Sequence, residues 1–267
     1  MPPHRRLDTE LVRRGLARSR EQAVALIADG RVTVSGRATA KPSTGVASSE
    51  PIVVTGPAAQ VDYVSRGGHK LAGALDVFET AGLTVSGRRC LDAGSSTGGF
   101  TDVLLRRGAT EVVAVDVGYG QLAWTLRTDP RVVVMDRTNV RELTPEIVGD
   151  PVQLVVADLS FISLRLVLEP LRACASRDAD FVLMVKPQFE VGRERVGRGV
   201  VRDPALRADA VRSVATAADD LGLGVAGVTA SPVPGPSGNV EYFLWLRADA
   251  PPLDPGTVER AVQEGPP

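Results

Sequence analysis

From residue 88 onward, two spacings of apolar residues alternate along the chain. Compact β-branched runs predict strands at 89–93, 111–116, 132–135, 153–157, 180–185, 223–230 and 242–247. Apolar residues three and four apart predict helices at 98–107, 120–127, 144–148, 163–175 and 204–221, with one more ahead of the first strand at 70–81. Runs such as Val155-Val156-Ala157 and Leu183-Met184-Val185 are apolar at every position. A strand of that kind is covered on both faces. The expected fold class is α/β, a mostly parallel seven-stranded sheet between layers of helices.

The residues ahead of this region follow another plan. Leu7, Leu11 and Val12 share one face of a short helix that stops at Gly15. Ser19 opens a second helix with Gln22 at the capping-box position, and Asp29-Gly30 ends it. Its apolar face is Ala23, Leu26 and Ile27. Arg31–Gly36 reads as a short strand and turn, and Ile52-Val53-Val54 as a last strand. The expected organisation is a small α+β domain at 1–56, a linker at 57–64, the α/β domain at 65–250 and a C-terminal tail at 251–267.

Charge separates the two regions further. Residues 1–42 hold nine Lys/Arg against four Asp/Glu, a balance of +5 in a chain of net charge −1, so the remainder carries −6. A basic module on an acidic body points to phosphate contact, hence to nucleic acid. Arg5, Arg6, Arg13, Arg14, Arg18 and Arg20 are its candidate RNA contacts, with Arg66 from the larger domain. A merely solvated basic face is the plainer alternative. Cys90 and Cys174 lie in apolar surroundings and read as buried free thiols of a reducing compartment, with no metal site. No basic start leads into an apolar stretch, and no apolar run approaches the ~18 residues of a membrane span. A cytoplasmic protein without stable membrane association is expected.

The candidate chemistry lies at strand ends, where ligands of doubly wound sheets bind. The first strand runs into Leu91-Asp92-Ala93-Gly94-Ser95-Ser96-Thr97-Gly98-Gly99-Phe100, an acid followed by a small-residue turn and a helix start. The next three strands end at Asp116, Asp136 and Asp158, and the fifth at Lys186. Any one aspartate is explained by helix capping; four of them at five strand ends point to a ligand edge. Asp116 stands about twenty residues past the loop, where an acid takes a ribose hydroxyl pair. Ser96 replaces the second glycine of a dinucleotide loop, which crowds a pyrophosphate and suits a cofactor without phosphates.

Asp158 and Lys186 end neighbouring strands ~4.8 Å apart and are expected to touch. A lysine closing an apolar strand needs such a partner, so a purely structural ion pair is the bland reading. The loop Ser231–Asn239 suits an antiparallel return that brings Glu241 to the same edge, and Lys70 reaches over it from the first helix. Lysine acts as a base only when neutral; the second lysine and the two acids push that balance in opposite directions. Gly192–Arg202 carries four arginines ahead of a helix capped by Asp203 and reads equally as RNA contact or solvated loop. Trp124, Phe243 and Trp245 read as core.

These residues carry resemblances. Arg6-Leu7-Asp8, Leu16-Ala17-Arg18-Ser19-Arg20 and Gly30-Arg31-Val32-Thr33-Val34-Ser35-Gly36 resemble the S4 RNA-binding domain. The order Asp92-x-Gly94, Asp116, Asp136, Asp158 resembles class I, Rossmann-like, S-adenosylmethionine-dependent methyltransferases. Lys70, Asp158, Lys186 and Glu241 resemble the Lys-Asp-Lys-Glu tetrad of RNA ribose 2′-O-methyltransferases of the FtsJ/RrmJ type. With Ser65–Leu71, Asp116–Leu122, Lys186–Glu190 and Gly235–Glu241 added, the chain resembles the TlyA family.

That resemblance implies methylation of cytidine ribose 2′-hydroxyls in ribosomal RNA, within small or large subunits. It implies S-adenosyl-L-methionine as cofactor, held by Asp92, Gly94, Ser96, Thr97, Gly98, Gly99, Phe100, Asp116, Asp136 and Asp158. Lys186 is expected on the 2′-hydroxyl, oriented by Asp158 and Glu241, while Lys70 steers ribose or phosphate. A monomer is expected. The family also carries an older hemolysin label. The alternatives are a catalytically silent RNA-binding assembly factor and a membrane-lytic protein. No amphipathic stretch with a large exposed apolar face favours the latter.

Overall fold

The computed structural model describes residues 4–17, 19–28, 30–39, 41–54, 63–192, 196, 199–235 and 238–265. Arg18, Asp29, Arg193, Arg195, Arg198 and the expected linker up to residue 62 lie outside the described residues. The chain divides into two compact units, 1–62 and 63–267.

The first unit contains β1 (Arg5–Arg6), α1 (Leu7–Arg13), α2 (Arg20–Ala28), β2 (Val32–Val34), β3 (Arg37–Ala38), β4 (Gly45–Val46) and β5 (Ile52–Val54). β1 pairs with β4, and β2 lies between β3 and β5, all antiparallel. Leu7, Leu11, Ala23, Ile27 and Val32 meet in its core. α1 stops before Gly15, whose φ of +70° suits glycine. The Gln22 amide donates to Ser19 Oγ at 3.2 Å, as the capping motif predicts.

Several of the basic residues are turned onto buried acids. Arg6 and Arg20 both lie 2.9 Å from Asp8, and Arg13 and Arg14 lie 2.6 and 2.8 Å from Glu10. The Arg6 guanidinium, with Arg20 behind it, holds the Asp8 carboxyl well below the usual range. Arg13 and Arg14 pull Glu10 down to about 2. Arg14 also donates to the carbonyls of Ala47, Ser48 and Glu50.

The second unit begins with α3 (Arg66–Thr80), β6 (Arg89–Ala93), α4 (Gly99–Arg106), β7 (Glu111–Val115), α5 (Trp124–Arg127) and β8 (Val132–Met135). It continues with α6 (Pro145–Val148), β9 (Val152–Ala157), α7 (Leu168–Ala173), β10 (Ala175–Val185) and α8 (Pro187–Glu190). It closes with α9 (Pro204–Asp219), β11 (Gly224–Ala230), β12 (Tyr242–Arg247) and α10 (Pro255–Glu264). The seven strands lie in the order β11-β12-β10-β9-β6-β7-β8, and β12 runs antiparallel to both its neighbours. Successive strand residues face opposite sides. Leu91, Val113, Val155, Leu183 and Leu244 pack with Val211 and Val214 of α9. Cys90, Val112, Val156, Met184 and Phe243 pack with Leu75 and Phe78 of α3 and Leu104 of α4. Two-sided burial explains the uninterrupted apolar runs, each such side chain contributing about 1.5–3 kcal/mol.

Some elements differ from expectation. α3 starts at Arg66 instead of residue 70. Gly68 within it is not a breaker, because a Cβ there would lie 2.4 Å from Tyr63 Cβ. The helix expected at 163–175 splits into a 3₁₀ turn, Leu164–Leu166, and α7. Pro170 has no N–H and fits only a first turn, so α7 restarts close to it. α5 covers only the second half of 120–127, after Gly120 at φ +66°. β10 starts five residues early, with an irregular register between Ala175 and Asp180. Trp124 is not core: it is 76% exposed, whereas Phe243 and Trp245 are buried. The expected tail carries α10, whose Val258 and Ala261 join the main core.

Candidate active site

The chain leaves β6 for β7 and β8 on one side, then crosses to β9 on the other. The crevice at that reversal holds a cavity of about 250 Å³. Gly67, Gly94, Gly99, Ser95–Thr97 and Phe100 line it, together with Arg66, Lys70 and Asp158. The loop after β6 is folded back by Gly94 and Ser95, whose amides both donate to the Val115 carbonyl at 2.9 and 3.0 Å. Gly94 has φ +87°, and a Cβ there would lie 2.6 Å from the Asp158 carbonyl oxygen. Only glycine lets β6 and β9 close on each other at this point.

The expected cofactor residues fall into two groups. Gly94, Ser96, Thr97, Gly99, Phe100 and Asp158 line the cavity. Asp92, Gly98, Asp116 and Asp136 do not. Asp92 is fully buried beneath the loop, where Thr101 Oγ1 donates to its Oδ2 at 2.6 Å. Burial pushes its carboxyl up to about 7, and its Oδ1 has no partner among the described residues. Gly98 packs against Leu122 and Leu126. Asp116 accepts the amides of Ser96 at 2.9 Å and Gly118 at 2.7 Å, so it shapes the loop while keeping lone pairs for a ligand. Asp136 is paired with Arg127 at 2.8 Å, which holds its carboxyl below the usual range.

All four tetrad residues reach the same edge, as two pairs. Lys186 Nζ lies 2.6 Å from Asp158 Oδ1, and Lys70 donates to Glu241 Oε2 at 2.5 Å. Glu241 is therefore joined to Lys70, and not to Lys186 as expected. β12 delivers it because that strand runs backwards: Tyr242 pairs with Val185, which puts the preceding residue beside the end of β10. Glu241 has no exposed surface, and its Oε1 lacks a partner among the described residues. A Cβ at Gly235 would lie 2.5 Å from that oxygen, so the loop before β12 presses directly on the carboxylate.

Three features gave no signal in spacing. Ser160 Oγ accepts from Lys186 Nζ at 2.9 Å. Phe161 is 92% exposed at φ +66°, its ring 5.4 Å from that of Phe189. Arg137, also at positive φ, lies 4.3 Å over the exposed Tyr119 ring. In a chain with only 4% aromatics, rings left on a ligand edge are themselves a signal.

Comparison with known proteins agrees with this arrangement. The FtsJ-like methyltransferase family matches residues 63–248, and the S4 domain matches residues 5–52. The 16S/23S rRNA (cytidine-2′-O)-methyltransferase TlyA of Mycobacterium tuberculosis is 60% identical over 98% of this chain and 98% of its own length. A solved structure from Streptococcus thermophilus, provisionally labelled a hemolysin, has a TM-score of 0.76 at 38% identity, covering 99% of this chain and 96% of that one. One from Lactococcus lactis, with the same label, has a TM-score of 0.72 at 42% identity, covering 77% and 99%. The chain is an enzyme of the FtsJ-like methyltransferases and belongs, with its S4 domain, to the TlyA family.

Proposed function

We propose that the protein transfers a methyl group from S-adenosylmethionine to the ribose 2′-hydroxyl of cytidine in ribosomal RNA, within ribosomal subunits. The observation that carries this reading is the two lysine–carboxylate pairs, Lys186–Asp158 and Lys70–Glu241, at the edge of a glycine-lined cavity. The cavity suits the cofactor. A Cβ at Gly67 would stand in it, 3.9 Å from both Asp158 Oδ2 and Phe100 Cδ1, so glycine keeps that space open. Gly94, Ser96, Thr97 and Gly99 would hold the cofactor through backbone and small polar groups, and the Asp158 carboxylate in the cavity lining would offer a counter-charge to its cationic sulfonium. When bound, S-adenosylmethionine supplies an electrophilic methyl group.

The remaining work falls to the protein. Two of the three hydrogen-bonding directions at Lys186 Nζ are taken by Asp158 and Ser160, leaving one for the 2′-hydroxyl. Lys186 would thereby fix the position of the 2′-hydroxyl oxygen for attack on the methyl group that the bound cofactor would supply. In the neutral amine that third direction is the Nζ lone pair; it takes up the hydroxyl proton as the oxygen–methyl bond forms, and the resulting ammonium passes a proton to the Asp158 carboxylate and on to water, Asp158 being 22% exposed. Lys70, fixed by Glu241, presents positive charge to ribose or phosphate. Positioning of this kind supplies much of the rate. In the S4 domain, Arg5, Arg6, Arg13 and Arg20 are the phosphate contacts, while Arg14 is turned inward.

The test is transfer of labelled methyl groups to ribosomal subunits lacking the modification, followed by mapping of 2′-O-methyl sites. Lys186→Ala is expected to lose about 100-fold or more in kcat. Its cofactor affinity, measured by calorimetry, is expected to hold, since Lys186 does not line the cavity. Full transfer by Lys186→Ala overturns its role. Cofactor binding without turnover on any subunit marks the protein as a silent assembly factor instead.

A further inference from the structure

The segment after β9 carries Asp158, Ser160 and Phe161, and faces the segment after β10, which carries Lys186, Phe189 and Glu190. Cross-links run along their whole length. Lys186 meets Asp158 and Ser160, the Phe161 and Phe189 rings touch, and Glu190 closes the far end. Ser163 Oγ donates to Glu190 Oε2 at 2.5 Å, and the Leu164 amide donates to Oε1 at 2.8 Å. Arg165 adds a longer contact at 3.5 Å. Glu190 is only 6% exposed and does not line the cavity.

A second observation gives this clamp a purpose. Phe161 sits at φ +66°, a conformation that a side chain with a Cβ adopts at a cost. Such strain persists only where the surroundings over-determine it. Phe161 itself is almost entirely exposed, so its own packing supplies little restraint. The loop is fixed upstream by the Asp158 amide, which donates to the Ala93 carbonyl at 3.0 Å. Downstream, Glu190 holds residues 163 and 164. Released at that end, Phe161 would be free to relax toward an ordinary φ and to carry its neighbour Ser160 off Lys186.

We propose that Glu190 is a positioning residue for methyl transfer, clamping the 158–164 loop in the register that sets Asp158 and Ser160 on Lys186. This rests on the methyl-transfer reading above, and two measurements separate the two claims. Hydrogen exchange over residues 158–164 in the full-length protein reads the clamp without reference to activity. Glu190→Ala is expected to speed exchange in this loop while leaving β6 and β7 protected; an unchanged loop overturns the proposal. Steady-state methylation of ribosomal subunits reads its consequence. Glu190→Ala is expected to lower kcat by about 100-fold, with little change in KM for RNA or in cofactor affinity. Glu190→Gln, which keeps an acceptor for the Leu164 amide, is expected to recover part of that loss. A wild-type kcat in Glu190→Ala, a loss confined to KM, or no recovery in Glu190→Gln overturns the role. Should Glu190→Ala fail to fold, Ser163→Ala removes one of the two short bonds to Glu190, together with the bonds Ser163 Oγ accepts from Arg165; faster loop exchange and a several-fold lower kcat are expected, and wild-type values of both overturn the proposal. A faster-exchanging loop in Glu190→Ala together with no transfer by the wild-type enzyme refutes the methylation reading and leaves the clamp standing.

Discussion

Asp92 shows how a residue expected on the ligand edge can serve the fold from beneath it, outside the cavity lining. It lies beneath the glycine loop, bonded to Thr101, and burial is the largest cause of its raised pKa, near 7. An unfolded aspartate titrates near ~3.9. Between those values the folded chain binds more protons than the unfolded one, so this residue's effect is to lower stability as pH rises from ~4 to ~7, by at most about 1.4 kcal/mol per unit. Urea titrations across that window are expected to show wild type losing stability relative to Asp92→Asn; parallel curves contradict this. The sequence shows the acid and its place at the strand end, but not its depth, which depends on α4 closing over it. The tetrad is similar. Strand order predicts that Lys70, Asp158, Lys186 and Glu241 share an edge and that Asp158 meets Lys186, whereas the pairing of Lys70 with Glu241 depends on side-chain reach between α3 and the start of β12. Ser160 was silent because a serine two residues past an acid has no distinctive spacing.

The strands were the most readable elements, since two-sided burial forces apolar residues into every position. The helices were less so. Pro170 shortened one, Gly120 another, and the helix expected from residue 70 left out Gly67-Gly68, although close packing against Tyr63 demands glycine at Gly68. α10 went unseen because its buried face is small, yet Val258 has no exposed surface. Ending the chain at residue 250 is therefore expected to lower the melting temperature by about 5 °C or more in calorimetry; an unchanged value would mean that α10 adds nothing to the core. In the S4 domain, charge counting alone treats all arginines alike. Arg14 is only 20% exposed and satisfies three carbonyls and Glu10, whereas no described residue bonds the Arg5 side chain. Arg14→Ala is expected to destabilise this domain by about 3 kcal/mol, seen as faster hydrogen exchange in α1 and β4. Arg5→Ala is expected to leave exchange unchanged and weaken RNA binding.

Across the whole molecule, the uneven charge of the sequence marks the division into two units, residues 1–62 and 63–267. If the basic unit contacts phosphates as proposed, RNA affinity is expected to fall steeply with salt. Replacing Arg5 or Arg20 with alanine is expected to reduce the slope of log affinity against log salt by about 1 for each phosphate no longer neutralised, while cofactor affinity stays constant; an unchanged slope removes that arginine from the interface. No described helix is long and apolar enough to cross a membrane. The antiparallel β12 has one further consequence, in time. The chain is made from its N-terminus, and domains fold as they emerge. The S4 domain, Lys70, Asp158 and Lys186 are all synthesised before Glu241, and β11 has no partner in the sheet until β12 enters between it and β10. The last strand therefore completes the sheet and the tetrad together. A growing chain therefore presents its S4 domain before the edge that carries the tetrad is complete.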